Sequence, residues 1–219
     1  DWALIDLQHG EADLAHLVGL LQAISTTGTT PFVRVPVNDF MSIGRALDLG
    51  AYGIVVPLVN TVADAEAAVR AARYAPRGAR SWGPIRGALY GGDDYFAAAD
   101  EAVQVVVMLE TVEAVDNARA ILAVPGVSGC PVGLNDLSIT LGLAPEGAAG
   151  ATLPAALEAA LAAILAACAA TGKFPGIQLY GLAAINARIG QGFRFIGCGT
   201  ELRLLRGAAT DLLRGVEAP

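Results

Sequence analysis

Two acidic residues, Glu110 and Asp136, stand just past short apolar runs of the kind that form buried β-strands. Glu110 follows the run 105–109, and Asp136 follows the run 130–133. A carboxylate in apolar surroundings is costly unless it gains a proton, a cation or hydrogen-bond donors. Two carboxylates at equivalent strand ends therefore suggest one shared cation. The alternative is that each acid precedes a helical segment and caps it.

The chemistry of these two ligands narrows the choice of cation. Two carboxylates, with water or substrate completing an octahedron, suit Mg²⁺ or Mn²⁺ better than zinc, which prefers His or Cys ligands. Such a site keeps open coordination positions. The pair Glu110 and Asp136 is therefore predicted to hold a divalent metal that a chelating substrate can reach.

A second group of polar residues follows the first two predicted strands. Asp6 precedes His9 by three residues, a spacing that lets the carboxylate accept from one imidazole nitrogen and leaves the other nitrogen as a base. Alternatively, Asp6 caps the next helix. Arg34 ends an apolar strand, where its guanidinium would serve a carboxylate or a developing oxyanion. An internal salt bridge from Arg34 to Asp6, Glu110 or Asp136 is equally compatible with the sequence.

The chain contains a single lysine, Lys173, directly before a predicted strand. In a barrel of parallel strands that position lies at the end opposite the functional groups. A Schiff-base mechanism needs a lysine amine at the reacting carbon. The sequence therefore argues against a Schiff base, and any carbonyl chemistry would use the metal as its Lewis acid.

Short β-like runs alternate with helix-period segments along the whole chain, which predicts a parallel sheet covered on both faces. The predicted strands are 3–6, 32–35, 53–56, 105–109, 129–132, 176–179 and 193–196. The predicted helices are 12–26, 40–49, 61–72, 112–123, 154–171, 182–189 and 202–213. Seven strands, with the first at the very start of the sequence, fit a (β/α)8 TIM barrel that lacks its N-terminal strand in this chain. An open doubly wound sheet is the alternative, but no Gly-rich phosphate loop follows an early strand.

We expect residues 1–219 to form a single barrel domain. The segment 74–94, rich in Arg, Gly and aromatic residues, interrupts the alternation and is predicted to be a functional or disordered loop. A net charge of −7 disfavours nucleic acid and anionic membranes as partners, and no apolar stretch reaches bilayer length. Three widely spaced cysteines in apolar runs suit reduced thiols in a cytoplasmic protein.

Five segments, in this order and spacing, resemble the HpcH/HpaI family of metal-dependent pyruvate aldolases. They are 1–10 (DWALIDLQHG), 33–39 (VRVPVND), 53–59 (GIVVPLV), 109–111 (LET) and 133–138 (GLNDLS). The resemblance covers nearly the whole chain. It implies a (β/α)8 barrel and a class II aldolase that forms or cleaves 4-hydroxy-2-oxo acids, with pyruvate or a close 2-oxo acid such as hydroxypyruvate as one product and an aldehyde as the other.

The resemblance also implies roles for residues. Glu110 and Asp136 would hold the cation (Mg²⁺, Mn²⁺ or Co²⁺), Arg34 would steady the enolate oxygen, and His9, oriented by Asp6, would act as acid and base. The residues implied to contact substrate are Gln8, Met108, Gly133, Leu134 and Asn135. Family members commonly exchange a C-terminal helix between subunits and form hexamers, which implies a homo-oligomer here.

Three positions depart from the common pattern of the family. Gln8 stands where Glu is usual, Met108 where Gln is usual, and Leu134 where Pro is usual. These departures leave the predicted metal ligands and base intact but put the acceptor pocket in doubt. Two other functions stay open at this point: a CoA-thioester lyase of the citrate-lyase β-subunit type, and a non-catalytic barrel that binds a 2-oxo acid.

Overall fold

The computed structural model describes residues 1–145 and 152–216, so the remainder of the predicted domain, 146–151 and 217–219, lies outside the described residues. Seven parallel strands form one sheet in the order β1 to β7. They are β1 Trp2–Asp6, β2 Thr30–Arg34, β3 Gly53–Val56, β4 Gln104–Val107, β5 Gly129–Val132, β6 Phe174–Leu179 and β7 Phe195–Cys198. Each predicted strand is present, with bounds that differ by a few residues.

The sheet is curled, because side chains from its first and last strands meet in the interior. Trp2 of β1 stacks on Phe195 of β7 with ring centroids 4.1 Å apart, although no hydrogen-bonded pair joins these two strands within the described part of the chain. The interior cluster is formed by Trp2, Leu4, Phe32, Val55, Val106, Met108, Phe174 and Phe195. Alternate residues of each strand point inward, which turns the last inward positions of β1 and β2, Asp6 and Arg34, toward the same mouth.

Helices cover the outer face of the sheet, where the larger apolar core lies. They are α1 Leu14–Ile24, α2 Phe40–Asp48, α3 Val62–Ala72, α4 Ile85–Gly91, α5 Tyr95–Ala102, α6 Val112–Asp116, α7 Ala118–Leu122, α8 Leu134–Thr140, α9 Ala155–Thr171, α10 Leu182–Gln191 and α11 Glu201–Arg214. Local side chains set several starts: Asp13 caps α1, Asp39 caps α2 and Thr61 caps α3, each by accepting backbone N–H groups.

The structure corrects the prediction at three places. The segment 74–94 is not one long loop, because α4 lies within it and α5 begins directly after it. The predicted helix 112–123 is divided at Asn117 into α6 and α7. The short helix α8, which holds Asp136, is not among the predicted helices. Its seven residues form only about two turns, too few for a helical period to be recognised in the sequence.

Lys173 lies at the strand-start end of the sheet, as predicted. It directly precedes β6, and its Nζ donates to the carbonyl of Val127 at 2.6 Å. It lines a cleft of about 500 Å³ together with Gln104 and Ser128, which lie at or next to the starts of β4 and β5. The only amine among the side chains of this protein is thus far from the mouth where the strands end.

The cysteines are free thiols in two different environments. Cys130 and Cys168 are buried, whereas Cys198 is exposed. The apolar runs that hold the three cysteines predict a core position for each of them, which is correct for Cys130 and Cys168 and wrong for Cys198. Among residues 1–145 and 152–216, no helix is both long and apolar enough to cross a lipid bilayer.

Candidate active site at the strand ends

Asp6 and Arg34 form a bidentate ion pair at the ends of the first two strands. They are direct partners in the register of β1 and β2. Arg34 donates from Nε to Oδ1 at 2.8 Å and from Nη2 to Oδ2 at 2.5 Å. Its third nitrogen, Nη1, faces the sulfur of Met108 at 3.8 Å. The salt bridge to Asp6 that the sequence left open is therefore present, and the soft Met108 contact leaves Nη1 able to donate to a substrate oxygen.

Asp6 also fixes the turn that carries His9. Its Oδ1 accepts the backbone N–H groups of Gln8 at 3.0 Å and His9 at 3.2 Å. This differs from the predicted contact with the imidazole ring, because the Asp6 carboxylate is already occupied by the guanidinium. In the described part of the chain the His9 ring makes no hydrogen bond, and the residue is exposed. Asp6 thus positions His9 through the backbone and leaves its ring open to the mouth.

The charge state of Asp6 follows from these contacts. Burial acts to raise its pKa, but the hydrogen bonds and charge of Arg34, with the N–H groups of Gln8 and His9, outweigh burial and lower the pKa. Asp6 is therefore a fixed carboxylate at neutral pH. It serves to hold Arg34 and His9 rather than to move a proton.

Glu110 is buried at the end of β4, with 2% of its surface exposed. Its Oε1 accepts the backbone N–H of Leu58 at 2.7 Å, and its Oε2 lies over Gly133, which has no side chain to displace it. The residue that caps α6 is Thr111, whose side chain accepts the N–H of Ala114. The helix-capping interpretation of Glu110 is therefore wrong, and its carboxylate faces the interior mouth instead.

Asp136 lies in the first turn of α8, with its side chain exposed. No side-chain cap starts that helix, so Asp136 does not act as its N-cap residue either. Burial raises the pKa of Glu110 and the Leu58 N–H lowers it; the charge of Asp136 raises it further, while Arg34 and His9 lower it. Burial has the largest effect, so the pKa of Glu110 lies above its ordinary value.

The donor set at this point fits a hard divalent cation. Two carboxylates, Glu110 and Asp136, repel each other, and a cation between them would relieve that repulsion. Oε2 of Glu110 accepts no hydrogen bond from the described residues, so it is available as a ligand. Within residues 1–145 and 152–216 no group of three or more His, Cys, Asp or Glu side chains is arranged for metal binding. Two carboxylates without His or Cys are the ligands of a hard cation that keeps open positions, whereas a closed structural zinc site uses four Cys or His ligands.

The other predicted residues surround this centre in different environments. Met108 is buried in the interior wall, and Gln8 is half-buried, with a buried Oε1 that has no partner among the described residues. Leu134 is buried at the start of α8, where it packs in the outer core, whereas Asn135 is exposed. The structure therefore brings Met108 beside Arg34 and leaves Leu134 directed away from the interior.

Sequence reasoning missed Leu58. It contributes a backbone N–H to Glu110, and it adopts a positive φ of 53°. Neither property depends on the leucine side chain, so no residue-type signal marks it. The one available signal is position: Leu58 lies two residues past the end of β3, and β3 pairs with β4, the strand that Glu110 follows.

Known proteins resemble this chain over nearly its whole length. A sequence model described as HpcH/HpaI aldolase/citrate lyase matches residues 1–208. A hydroxypyruvate/pyruvate aldolase of Rhizorhabdus wittichii is 38% identical over all of this chain and 86% of its own length. A 4-hydroxy-2-oxovalerate aldolase of Novosphingobium aromaticivorans is 38% identical over 98% of this chain and 80% of its own. The crystal structure of an HpcH/HpaI aldolase/citrate lyase family protein from Burkholderia cenocepacia superposes with a TM-score of 0.91 and 32% identity, over 100% of this chain and 86% of the other.

Proposed function

Because this chain belongs to the HpcH/HpaI aldolase/citrate lyase family and is a carbon–carbon lyase, we propose that it forms and cleaves 4-hydroxy-2-oxo acids by class II chemistry. The products of cleavage are pyruvate, or a close 2-oxo acid, and an aldehyde. The observation that carries this proposal is the buried Glu110 carboxylate, whose Oε2 lies over Gly133 and accepts no hydrogen bond from the described residues. It lies past the end of β4, at the same end of the strands as the Asp6–Arg34 pair.

The proposal assigns Glu110 and Asp136 as ligands of a divalent cation, Mg²⁺, Mn²⁺ or Co²⁺. When bound, such a cation would act as a Lewis acid toward the keto group of the 2-oxo acid. The protein groups supply the rest of the reaction. The single lysine lies at the opposite end of the sheet, so an amine does not share this task.

Arg34 is placed to bind the oxygen that becomes negative when the carbon–carbon bond breaks. Its Nε and Nη2 are held by Asp6, and Nη1 has only the weak contact with Met108. A donor that is already oriented needs no reorganisation as the charge develops, and removing such a donor typically costs about 10²–10³ in rate. The Asp6 carboxylate therefore acts by positioning Arg34.

His9 is the acid and base in the proposal. In cleavage its imidazole takes the proton of the C4 hydroxyl, the C3–C4 bond breaks, and the electron pair moves into the enolate of the 2-oxo acid. The aldehyde then leaves, and the imidazolium of His9 returns its proton to C3, which completes the 2-oxo acid and restores the neutral imidazole. The ring of His9 is exposed, so a substrate hydroxyl can reach it. The backbone of His9 is held by its hydrogen bond to Asp6, which keeps the base in position.

The nucleophilic substrate is proposed to be pyruvate or hydroxypyruvate, and the apolar wall at Met108 suits a small 2-oxo acid. The relative named hydroxypyruvate/pyruvate aldolase supports this choice. To test it, the purified chain with Mg²⁺ or Mn²⁺ is incubated with pyruvate or hydroxypyruvate and a panel of aldehydes, and adducts are measured by mass spectrometry. Parallel assays use malyl-CoA and citramalyl-CoA. Turnover of the thioesters without any 4-hydroxy-2-oxo acid product would overturn the proposal.

We propose further that the enzyme is a homo-oligomer of the cytoplasm. Helix α11 supports the oligomer, because none of its residues is buried although it carries leucines exposed by 65–73%, namely Leu202, Leu204, Leu205, Leu212 and Leu213. Light scattering of the purified protein tests this: a monomer at micromolar concentration would contradict it. The free thiols support a reducing compartment.

A further inference from the structure

The two oxygens of the Glu110 carboxylate are treated differently by the protein. Oε1 accepts the backbone N–H of Leu58 at 2.7 Å, whereas Oε2 accepts no hydrogen bond from any residue in the described ranges 1–145 and 152–216. Since Glu110 is almost fully buried, its carboxylate has one fixed oxygen and one free oxygen. A carboxylate held in this way presents a single oxygen in a defined direction.

The donor to Oε1 adopts an unusual backbone conformation. Leu58 has φ of +53° and is the only residue other than glycine with a positive φ in the described part of the chain. This left-handed region is unfavourable for a residue with a Cβ. The leucine side chain does not compensate, because 54% of its surface is exposed. What the conformation provides is the direction of the N–H group, and strain of this kind collects at functional sites.

The free oxygen, Oε2, lies over Gly133. A glycine is needed there because a side chain would occupy the place of the Glu110 carboxylate, and not because the backbone angles require it. A Cβ on Gly133 would lie 2.2 Å from Oε2 and 2.6 Å from Cβ of Glu110. The φ of Gly133 is −82°, which any L residue adopts. An alanine is therefore compatible with the local φ, but its Cβ would clash with both Oε2 and Cβ of Glu110. The backbones past β4 and β5 must then move apart, and the Glu110 carboxylate is displaced with them.

We propose that Leu58 and Gly133 are positioning residues of this enzyme, which hold the Glu110 carboxylate from the ends of β3 and β5 so that Oε2 faces the cation. This inference rests on the proposed function, in which Glu110 is a metal ligand. The segments past β3 and β5 then both belong to the site. The first donates an N–H group to Glu110, and the second leaves space for the Glu110 carboxylate because Gly133 has no side chain. Groups that orient metal ligands typically affect metal affinity by about 10- to 100-fold.

The first test substitutes Gly133→Ala and measures Mn²⁺ affinity of the purified protein by calorimetry, without substrate. We expect the Kd to rise at least about 10-fold, while the far-UV circular dichroism stays that of the wild type. The matched control is Gly44→Ala in α2, where an added Cβ meets nothing within 4 Å; its Mn²⁺ affinity should equal that of the wild type.

The second test keeps the proposal falsifiable if Gly133→Ala fails to fold. Leu58→Gly retains the N–H and suits the positive φ. We therefore expect its Mn²⁺ affinity to stay within about twofold of the wild type, whereas loss of an orienting group changes metal affinity by about 10- to 100-fold. Leu58→Pro removes the N–H and, because the proline ring fixes φ near about −65°, also the positive φ that directs it; we expect the same loss of affinity as for Gly133→Ala.

The outcomes separate this inference from the proposed function. A wild-type protein that binds no Mn²⁺ would overturn both. A wild-type protein that binds Mn²⁺, with unchanged affinity in folded Gly133→Ala and in Leu58→Pro, would overturn the positioning role and leave the metal site standing. An equal loss of affinity in Leu58→Gly and Leu58→Pro would also overturn the role of the N–H group.

Discussion

The carboxylate of Asp6 accepts two hydrogen bonds from the guanidinium of Arg34, which joins the two side chains at the ends of neighbouring strands. The same carboxylate accepts the backbone N–H of His9. One side chain thus fixes both the proposed oxyanion donor and the turn of the proposed base. The catalytic constellation depends on a residue that itself need not touch the substrate.

Replacing Asp6 with Asn should therefore impair catalysis more than folding. Asn cannot accept at both positions, and it leaves the charge of Arg34 without its partner. We expect kcat/KM to fall about 10- to 100-fold from misplacement and the free energy of unfolding to fall by about 1–2 kcal/mol. Steady-state kinetics and urea unfolding measure the two effects. The control is Asp13→Asn, because Asn caps a helix as well as Asp; an equal loss of kcat/KM in that control would contradict the assignment.

The Asp6–Arg34 pair also predicts a dependence of stability on pH. Because the pKa of Asp6 is lowered in the folded protein, the unfolded chain binds a proton to this group more readily. The stabilisation is therefore fully present above the ordinary value of 3.8 and is lost as the pH falls through the lower folded pKa. The difference in unfolding free energy between wild type and Asp6→Asn should be constant at neutral pH and should narrow under acid. A difference that widens on acidification would refute this.

His9 should be needed for turnover and not for stability. Its ring is exposed and makes no hydrogen bond within the described residues, so His9→Asn should leave the melting temperature unchanged. Loss of an acid–base group should lower kcat by about 10²- to 10⁴-fold. The chain offers a matched control, since His16 is its only other histidine and lies in the capping box of α1. If His9→Asn and His16→Asn retain equal kcat, His9 is not the base.

Away from the site, Glu158 and Arg188 should contribute to stability alone. Both guanidinium Nη atoms of the fully buried Arg188 donate to Glu158, at 2.6 and 2.7 Å, which ties α9 to α10. Glu158→Gln should cost about 2 kcal/mol of unfolding free energy, less than for a fully buried pair because Glu158 is about one-third exposed. The exposed pair Arg77 and Glu101 is the comparison, and Glu101→Gln should cost much less. Equal losses would contradict the role of burial.

The sequence predicted the parts of this fold that depend on local hydrophobic pattern. All seven strands were predicted because buried parallel strands are continuous apolar runs, as in Gly53–Val56, whose residues are all buried. The barrel prediction is confirmed by the likeness to the Burkholderia structure. Short helices such as Leu134–Thr140 were missed, since their residues give too few turns for a 3.6-residue period to emerge.

The candidate site was predictable as a set of residues but not as a set of contacts. Glu110, Asp136, Arg34 and Asp6 are predicted from their positions at strand ends, and of these the structure joins Asp6 and Arg34 directly. The pairing of Asp6 with Arg34 rather than with the ring of His9 depends on strand register, which residue spacing does not reveal. The contribution of Leu58 depends on a backbone angle, so it had no signature in the residue type.

Dependence of pyruvate release on a divalent cation tests the central claim most directly. The purified protein is treated with EDTA, dialysed, and assayed with a 4-hydroxy-2-oxo acid, before and after addition of Mg²⁺, Mn²⁺ or Co²⁺. The variants Glu110→Gln and Asp136→Asn are assayed in parallel. We predict that EDTA abolishes release, that added cation restores it in the wild type, and that neither variant recovers at the same cation concentration. Full activity after EDTA, or borohydride trapping of pyruvate on Lys173, would contradict the account.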